Sequence, residues 1–306
     1  MIDKPLVSII IPLYNGANYV EQAIQSALSQ TYENVEIIIV NDGSTDGGAS
    51  KNICKKYAEK IVYLEKDNGG CASALNHGIL NAKGEFISWL SHDDLYDINK
   101  IERQISLYED YSLNKQNTVI SSVGRLIDSE GKEIQHPHRK NKGLYRSEQA
   151  FNYFLFKSCP NGCGLLIPKI LFERIGFFDE NFKFVLDWNL WVKFALRGVD
   201  FYFDEERLVS NRVHSMQVTV KQKELHSKEA NLTVDQLFSI MKSENNMEIY
   251  LQKLYYFAYA NGRGNAKDIQ LYLKRNGIKF NICKSMFLRL KSRIMRIAKN
   301  VYHKIR

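Results

Sequence analysis

The chain has 306 residues, 44% hydrophobic and 25% charged, the proportions of a soluble globular protein with room for one large domain or two. Its net charge of +8 sits at one end: Ile269–Arg306 holds eleven Lys and Arg and no Asp or Glu, leaving 31 basic against 34 acidic residues over 1–268. That distribution argues against a nucleic-acid-binding body, which would carry basic residues on the domain face, and no apolar run approaches the roughly 18 residues of a membrane span.

Met1-Ile2-Asp3-Lys4-Pro5 lacks the basic and apolar regions of a secretory signal, so the expected location is cytoplasmic. Five scattered cysteines, an odd number, suit small buried thiols in a reducing compartment. Cys159 and Cys163 have no nearby Cys or His pair to complete a zinc site.

The first hundred residues alternate strand and helix. Leu6–Leu13 is a near-continuous apolar run, the pattern of a strand covered on both faces. Asn18 is placed to cap a helix over Tyr19–Ser29. Val35–Val40 is a second strand, followed by the turn Asn41–Asp46, a helix over about Ala49–Glu59 and a third strand, Ile61–Glu65. Beyond Asp67-Asn68-Gly69-Gly70 a helix runs to Ala82. The strand Glu85–Leu90 then leads into Ser91-His92-Asp93-Asp94. Further on come a helix over Asn99–Tyr111, a strand over Thr118–Asp128, a hairpin turn at Ser129–Lys132 and a loop over His136–Gly143. Gly162–Ile167 reads as a strand, Lys169–Ile175 and Asp187–Leu196 as helices, and Phe201–Val213 as extended chain. From Lys221 onward the pattern is helical.

Strands joined by helices run parallel and align their C-terminal ends along one edge, where ligands bind. Tyr14, Asp42 and the pair Asp93-Asp94 follow three of these strands. Adjacent carboxylates leaving a buried strand repel each other and lose hydration, and a divalent cation bridging substrate phosphates compensates for this. The competing reading is that they cap the next helix. Asp42 either accepts a nucleobase ring N–H or closes its own Asx turn. Pro12-Leu13-Tyr14-Asn15 either stacks a base or simply ends a strand.

These segments resemble the family 2 glycosyltransferases, inverting enzymes of the GT-A fold that use nucleotide-sugar donors. The resemblance rests on Val7-Ser8-Ile9-Ile10-Ile11-Pro12-Leu13-Tyr14-Asn15, Asn41–Asp46, Asn68-Gly69-Gly70 and Ser91–Asp94. Gly176-Phe177-Phe178-Asp179-Glu180, Leu186-Asp187-Trp188-Asn189-Leu190-Trp191 and His214–Thr219 extend it, in the family's order. It implies an α/β architecture: a GT-A, Rossmann-like mixed sheet flanked by helices, with a C-terminal helical extension. The implied catalytic domain is 1–220, with a nucleotide-binding half over 1–112 and an acceptor-binding half over 113–220, ahead of a helical region over 221–306. Pro12, Tyr14, Asn15, Asp42, Asn68, Gly70, Asn76 and Asp93 are implied donor-binding residues. Asp94 is the implied direct ligand of Mn²⁺ or Mg²⁺, with His214 as a further one. Asp187 is the implied base for the acceptor hydroxyl, and Gly162, Gly164, Trp188 and Trp191 mark the acceptor region.

Three positions depart from the family pattern. Ser91 stands for the first Asp of the metal motif, Leu75 for an Arg, and Leu186 for the Glu before the base. The implied reaction moves a sugar, with UDP the expected nucleotide, to a saccharide or lipid-linked saccharide in surface polysaccharide assembly. A nucleotidyltransferase could use the same carboxylates, although no Gly-rich, Lys/Arg-bearing loop follows residue 15; a non-catalytic nucleotide- or glycan-binding module is the other alternative.

Phe287, Leu290, Ile294, Ile297, Val301 and Ile305 recur at helical spacing among Lys and Arg, a basic amphipathic tail over 284–306. Such a helix suits an anionic membrane leaflet, and the competing reading is a helix packed on the catalytic domain or on a dimer partner. The oligomeric state is not legible in the sequence.

Overall fold

Seven consecutive buried residues form β1 (Val7–Leu13), the strand around which the sheet is built. The computed structural model describes residues 4–135, 141–214 and 223–292. The chain divides into two compact units, Met1–Phe151 with Cys159–Lys221, and Asn152–Ser158 with Gln222–Arg306.

In the first unit β1 pairs in parallel with β2 (Val35–Asp42) on one side and with β4 (Phe86–Trp89) on the other. β3 (Val62–Lys66) extends the parallel run beyond β2. α1 (Val20–Leu28), α2 (Ala49–Lys55) and α3 (Cys71–Asn81) are the crossovers between these strands. Burial of β1 from both faces explains its near-continuous apolar sequence. Pro12 fits because the β4 ladder ends at Ile10, so its missing N–H interrupts no pairing on that side.

Beyond β4 the sheet turns mixed. β9 (Leu165–Pro168) lies antiparallel between β4 and β6 (Thr118–Ile127), and β10 (Asp200–Arg212) runs parallel to β6. β5 (Leu95–Tyr96), β7 (Glu133–Gln135) and β8 (Gly143–Tyr145) are short antiparallel additions. The path is β3-β2-β1-β4-β9-β6-β10-β5, with β7 on β6 and β8 on β10. These directions bring the C-terminal ends of β1, β2, β4, β6 and β10 to one edge, together with the N-terminal end of β9.

α4 (Lys100–Asp110) braces this edge from behind. Lys100 is fully buried, and its ammonium donates to Ser88 and Gln104. Burial pushes its pKa down to about 7. Gln104 in turn donates to the Gly164 carbonyl, so the turn before β9 hangs on the same helix.

The remaining helices of this unit are α6 (Ile170–Ile175) and α7 (Leu186–Leu196), while α5 (Ser147–Phe156) begins here and ends in the second unit. There, α8 (Lys223–Ser243) buries Ala230, Val234, Leu237 and Met241, spaced four and three apart as one helical face requires. α9 (Glu248–Ala260), α10 (Ala266–Arg275) and a helical stretch over 282–292 complete it.

Several sequence expectations are corrected. Asn18 does not cap α1: the cap position is Tyr19, and no side chain bonds there. Gly162–Gly164 is a tight 3₁₀ turn, and the strand begins only at Leu165. α5 occupies a stretch for which the sequence predicts no element, and β8 takes the end of the expected 136–143 loop.

Candidate active site

The turn after β2 and the loop before α3 are joined through one carboxylate. Asp42 accepts from the Gly69 amide at 3.0 Å, the Gly70 amide at 2.7 Å and the Lys66 ammonium at 2.8 Å. Asn68 donates back to the Asp42 carbonyl at 2.9 Å. Gly43 allows this approach: it has φ +68°, and a Cβ there would lie 2.7 Å from the Asn68 amide nitrogen. Asn15, itself at φ 49°, exchanges bonds with Thr45, and its amide donates to Ser44. Pro12 is buried in β1 and accepts at its carbonyl from His92, whose imidazole burial keeps neutral-leaning. Tyr14 projects from this loop, 45% exposed.

The end of β10 clasps the acidic pair. Asp94 is 6% exposed and accepts from the Asn211 side chain and the Arg212 amide, each at 2.9 Å. Burial, and then the neighbouring Asp93 charge, push its pKa up to about 7. Asp93 points the other way, with its carboxylate 3.0 Å from the His214 imidazole. Two neighbours in sequence therefore have different environments: one is buried against β10, the other is paired with a histidine at the sheet edge.

Asp187 lies in the first turn of α7, half-buried. Two influences oppose each other there. The helix N-terminus and the Trp188 amide, 2.7 Å from Oδ1, favour the anion, while burial disfavours it. Burial wins and raises the pKa to about 6.

Cys71 opens α3, directly after the Gly69-Gly70 loop that Asp42 holds. Although the residue is exposed, its thiol is crowded by protein, and this, followed by the charges of Asp187, Asp42 and Asp93, pushes its pKa up to about 12. One sulfur at the start of α3 thus feels carboxylates from the β2 end, the β4 end and α7. The expectation of small buried thiols holds for Cys54 and Cys163 and fails for Cys71 and Cys283, which are exposed. Nothing in a single scattered cysteine signals its place at such a crossing; only its position just after Asn68-Gly69-Gly70 could have.

Two expected site residues do something else. Asn76 is engaged within the protein: its amide nitrogen donates to the Phe178 carbonyl and to Glu180, and its oxygen accepts from the Phe178 amide. It fastens α3 to the Gly176–Glu180 loop that leads toward α7. Trp191 is fully buried against Phe178 and Phe194, a core residue and not part of an acceptor surface. Trp188 is half-buried. Gly162 and Gly164 serve close packing: a Cβ on Gly162 would fall 2.1 Å from the Trp89 ring, and one on Gly164 2.8 Å from the Ser122 carbonyl. Trp89 meets Phe178 edge-on, so this aromatic contact ties the β4 end to the Phe178 loop.

The mixed sheet flanked by helices is the GT-A fold of solved glycosyltransferases. The crystal structure of S. aureus TarS 1-349 in complex with UDP-GlcNAc has a TM-score of 0.66 at 17% identity, covering 83% of this chain and 72% of that one. A family model, glycosyl transferase family 2, matches residues 8–176, more than half of the sequence. The chain belongs to this family. An uncharacterized glycosyltransferase of Rickettsia typhi is 49% identical over 216 residues, 71% of this chain and 66% of that protein. The minor teichoic acid biosynthesis protein GgaB of Bacillus subtilis is 41% identical over 187 residues, 58% of this chain and 19% of GgaB. The matched region thus falls just short of two thirds of the first relative and is a small part of the second.

Proposed function

We propose that the chain is an inverting glycosyltransferase that moves a hexosyl or N-acetylhexosaminyl group from a UDP-sugar to a hydroxyl of a saccharide or lipid-linked saccharide in surface polysaccharide assembly. The observation that carries this is the collection of Asp42 at the C-terminal end of β2 and Asp93, with His214 3.0 Å away, beyond the C-terminal end of β4. Two similar proteins support the finer reading, since TarS was crystallised with UDP-GlcNAc and GgaB is named for minor teichoic acid biosynthesis.

Roles follow from environment. Asp42 already takes three N–H donors, and a carboxylate has about four lone-pair sites, so one remains for a base ring N–H beside Tyr14. Asn15, Asn68 and Gly70 shape that pocket. A carboxylate with an imidazole fits Mn²⁺ or Mg²⁺, and no group of three or more His, Cys, Asp or Glu among the described residues is placed to hold a metal alone, so donor phosphates would complete the shell. Such a cation would neutralise charge on the leaving diphosphate. Asp93 with His214 is favoured as its holder over Asp94, which is buried against β10 and has no imidazole beside it. Asp187 takes the proton of the acceptor hydroxyl; the acceptor oxygen bonds to the anomeric carbon as the bond to the diphosphate oxygen breaks on the opposite face. The leaving diphosphate keeps the electron pair.

Thermal shift with UDP-, GDP- and dTDP-sugars in the presence of Mn²⁺ is expected to single out UDP-sugars, and the preferred donor should then release UDP when acceptor is added. Stabilisation by no nucleotide would remove this reading.

The described part of the tail supports peripheral attachment to an anionic membrane surface on the cytoplasmic side. Over 282–292 the helical stretch exposes Ile282, Met286, Phe287 and Leu290 between Lys284, Arg289 and Lys291, while Ser285 is buried. No helix among the described residues is long and apolar enough to cross a membrane. The rest of the expected stripe, Ile294, Ile297, Val301 and Ile305, lies outside the described residues. Full-length protein is expected to sediment with phosphatidylserine-containing liposomes and to do so less at high salt, and protein lacking 284–306 to stay in the supernatant. Equal sedimentation of both forms would overturn the attachment.

A further inference from the structure

Arg212, the last residue of β10, is one of the largest fully buried side chains among the described residues, at 1% exposure. A buried guanidinium is costly unless its N–H groups are met, and here they are met by three separate segments. Nε donates to the Asp93 carbonyl at 2.9 Å. Nη1 donates to the Asp128 and Ser129 carbonyls at 3.2 and 3.0 Å, in the turn between β6 and β7. Nη2 donates to Gln22 of α1 at 2.7 Å. The Arg212 backbone amide also holds Asp94.

Tyr19, at the start of α1, closes the arrangement. The guanidinium carbon lies 4.6 Å from the centre of its ring, and the same ring lies 5.1 Å from the His214 imidazole. Arg212 therefore sets the Asp93 backbone directly and the His214 ring through Tyr19. The two side chains that meet at 3.0 Å are each held from behind by the same cation. A lysine could not replace it: one ammonium point charge cannot reach the Asp93 carbonyl, the Asp128–Ser129 turn and Gln22 together.

We propose that Arg212 is a positioning residue that prearranges Asp93 and His214 as a divalent-cation site, acting through the Asp93 carbonyl and the Tyr19 ring. This rests on the cation reading given above. Groups behind a ligand set its orientation, and losing them costs about 10- to 100-fold in metal affinity.

The test compares wild type, Arg212→Lys and Tyr19→Leu. Mn²⁺ affinity is read by the free-ion EPR signal in the presence of UDP, and UDP affinity is read separately in EDTA. Arg212→Lys is expected to weaken Mn²⁺ binding by about tenfold or more and Tyr19→Leu by less, both with UDP affinity in EDTA unchanged. Wild-type Mn²⁺ affinity in a folded Arg212→Lys protein would overturn the proposal. If that variant does not fold, Tyr19→Leu decides, and unchanged Mn²⁺ affinity there has the same consequence. If wild type itself takes up no Mn²⁺ with UDP, the cation site falls and the role of Arg212 falls with it.

Discussion

Replacing Asp187 by Asn is expected to reduce sugar transfer by about a thousandfold, within the range that a positioned base contributes, while UDP-sugar binding stays near wild type. The group is half-buried with its pKa raised to about 6, so the wild-type rate should fall roughly tenfold per pH unit below that value as the base becomes protonated. The residual rate of the variant should lack this acid limb. Stability should move oppositely. A carboxyl whose folded pKa lies above its ordinary value of 3.8 stabilises the fold only while protonated, and that contribution is lost as pH rises from about 4 through 6. Asp187→Asn should therefore be more stable than wild type at pH 7.5, by about 1–2 kcal/mol after discounting for partial exposure, and equal to it near pH 4. Urea titrations at the two pH values measure this. A variant that keeps its full transfer rate would take Asp187 out of the base role.

The adjacent acids should separate by kind of damage. Asp93→Ala is expected to reduce cation-dependent transfer by about a thousandfold, because it removes several kcal/mol of charge stabilisation, and to lower the melting temperature less than Asp94→Ala, because it takes one partner from His214 in place of two donors' acceptor. Asp94→Ala leaves the Asn211 amide and the Arg212 N–H without their acceptor in a site that is 6% exposed. At about 1–3 kcal/mol for each orphaned donor, offset by relief of a buried charge, a net loss of about 2 kcal/mol should follow, lowering the melting temperature by several degrees. Calorimetry beside initial rates at saturating Mn²⁺ tests both. If Asp94→Ala were the cation-insensitive variant and Asp93→Ala the unstable one, the assignment of roles would be reversed.

Much of the first unit was legible because its signals are local. The near-continuous apolar run of β1 marks burial on both faces, and Asn-Asp-Gly-Ser and Asn-Gly-Gly mark turns whose glycines are needed where the Asp42 carboxylate meets the following loop. Asp187 was placed by its motif at the head of a helix, where it stands. The misses are all long-range. Asn76 sits near the donor motifs in sequence, yet its partners lie 102 and 104 positions away. Trp191 reads as an aromatic for a sugar surface until Phe178 and Phe194 close over it.

By itself the sequence determined the strands that end in Leu13, Asp42 and Trp89, the turns after them, and hence the edge at which the acids collect, since periodicity and turn chemistry act over a few residues. Only the tertiary structure decided what each acid faces. Asp93 and Asp94 are identical in type and adjacent in the chain, and they differ because Asn211 and Arg212, more than 110 positions later, pair with one and leave the other to His214. A carboxylate's task depends on the dielectric and the donors around it, and those come from whichever distant strand packs there.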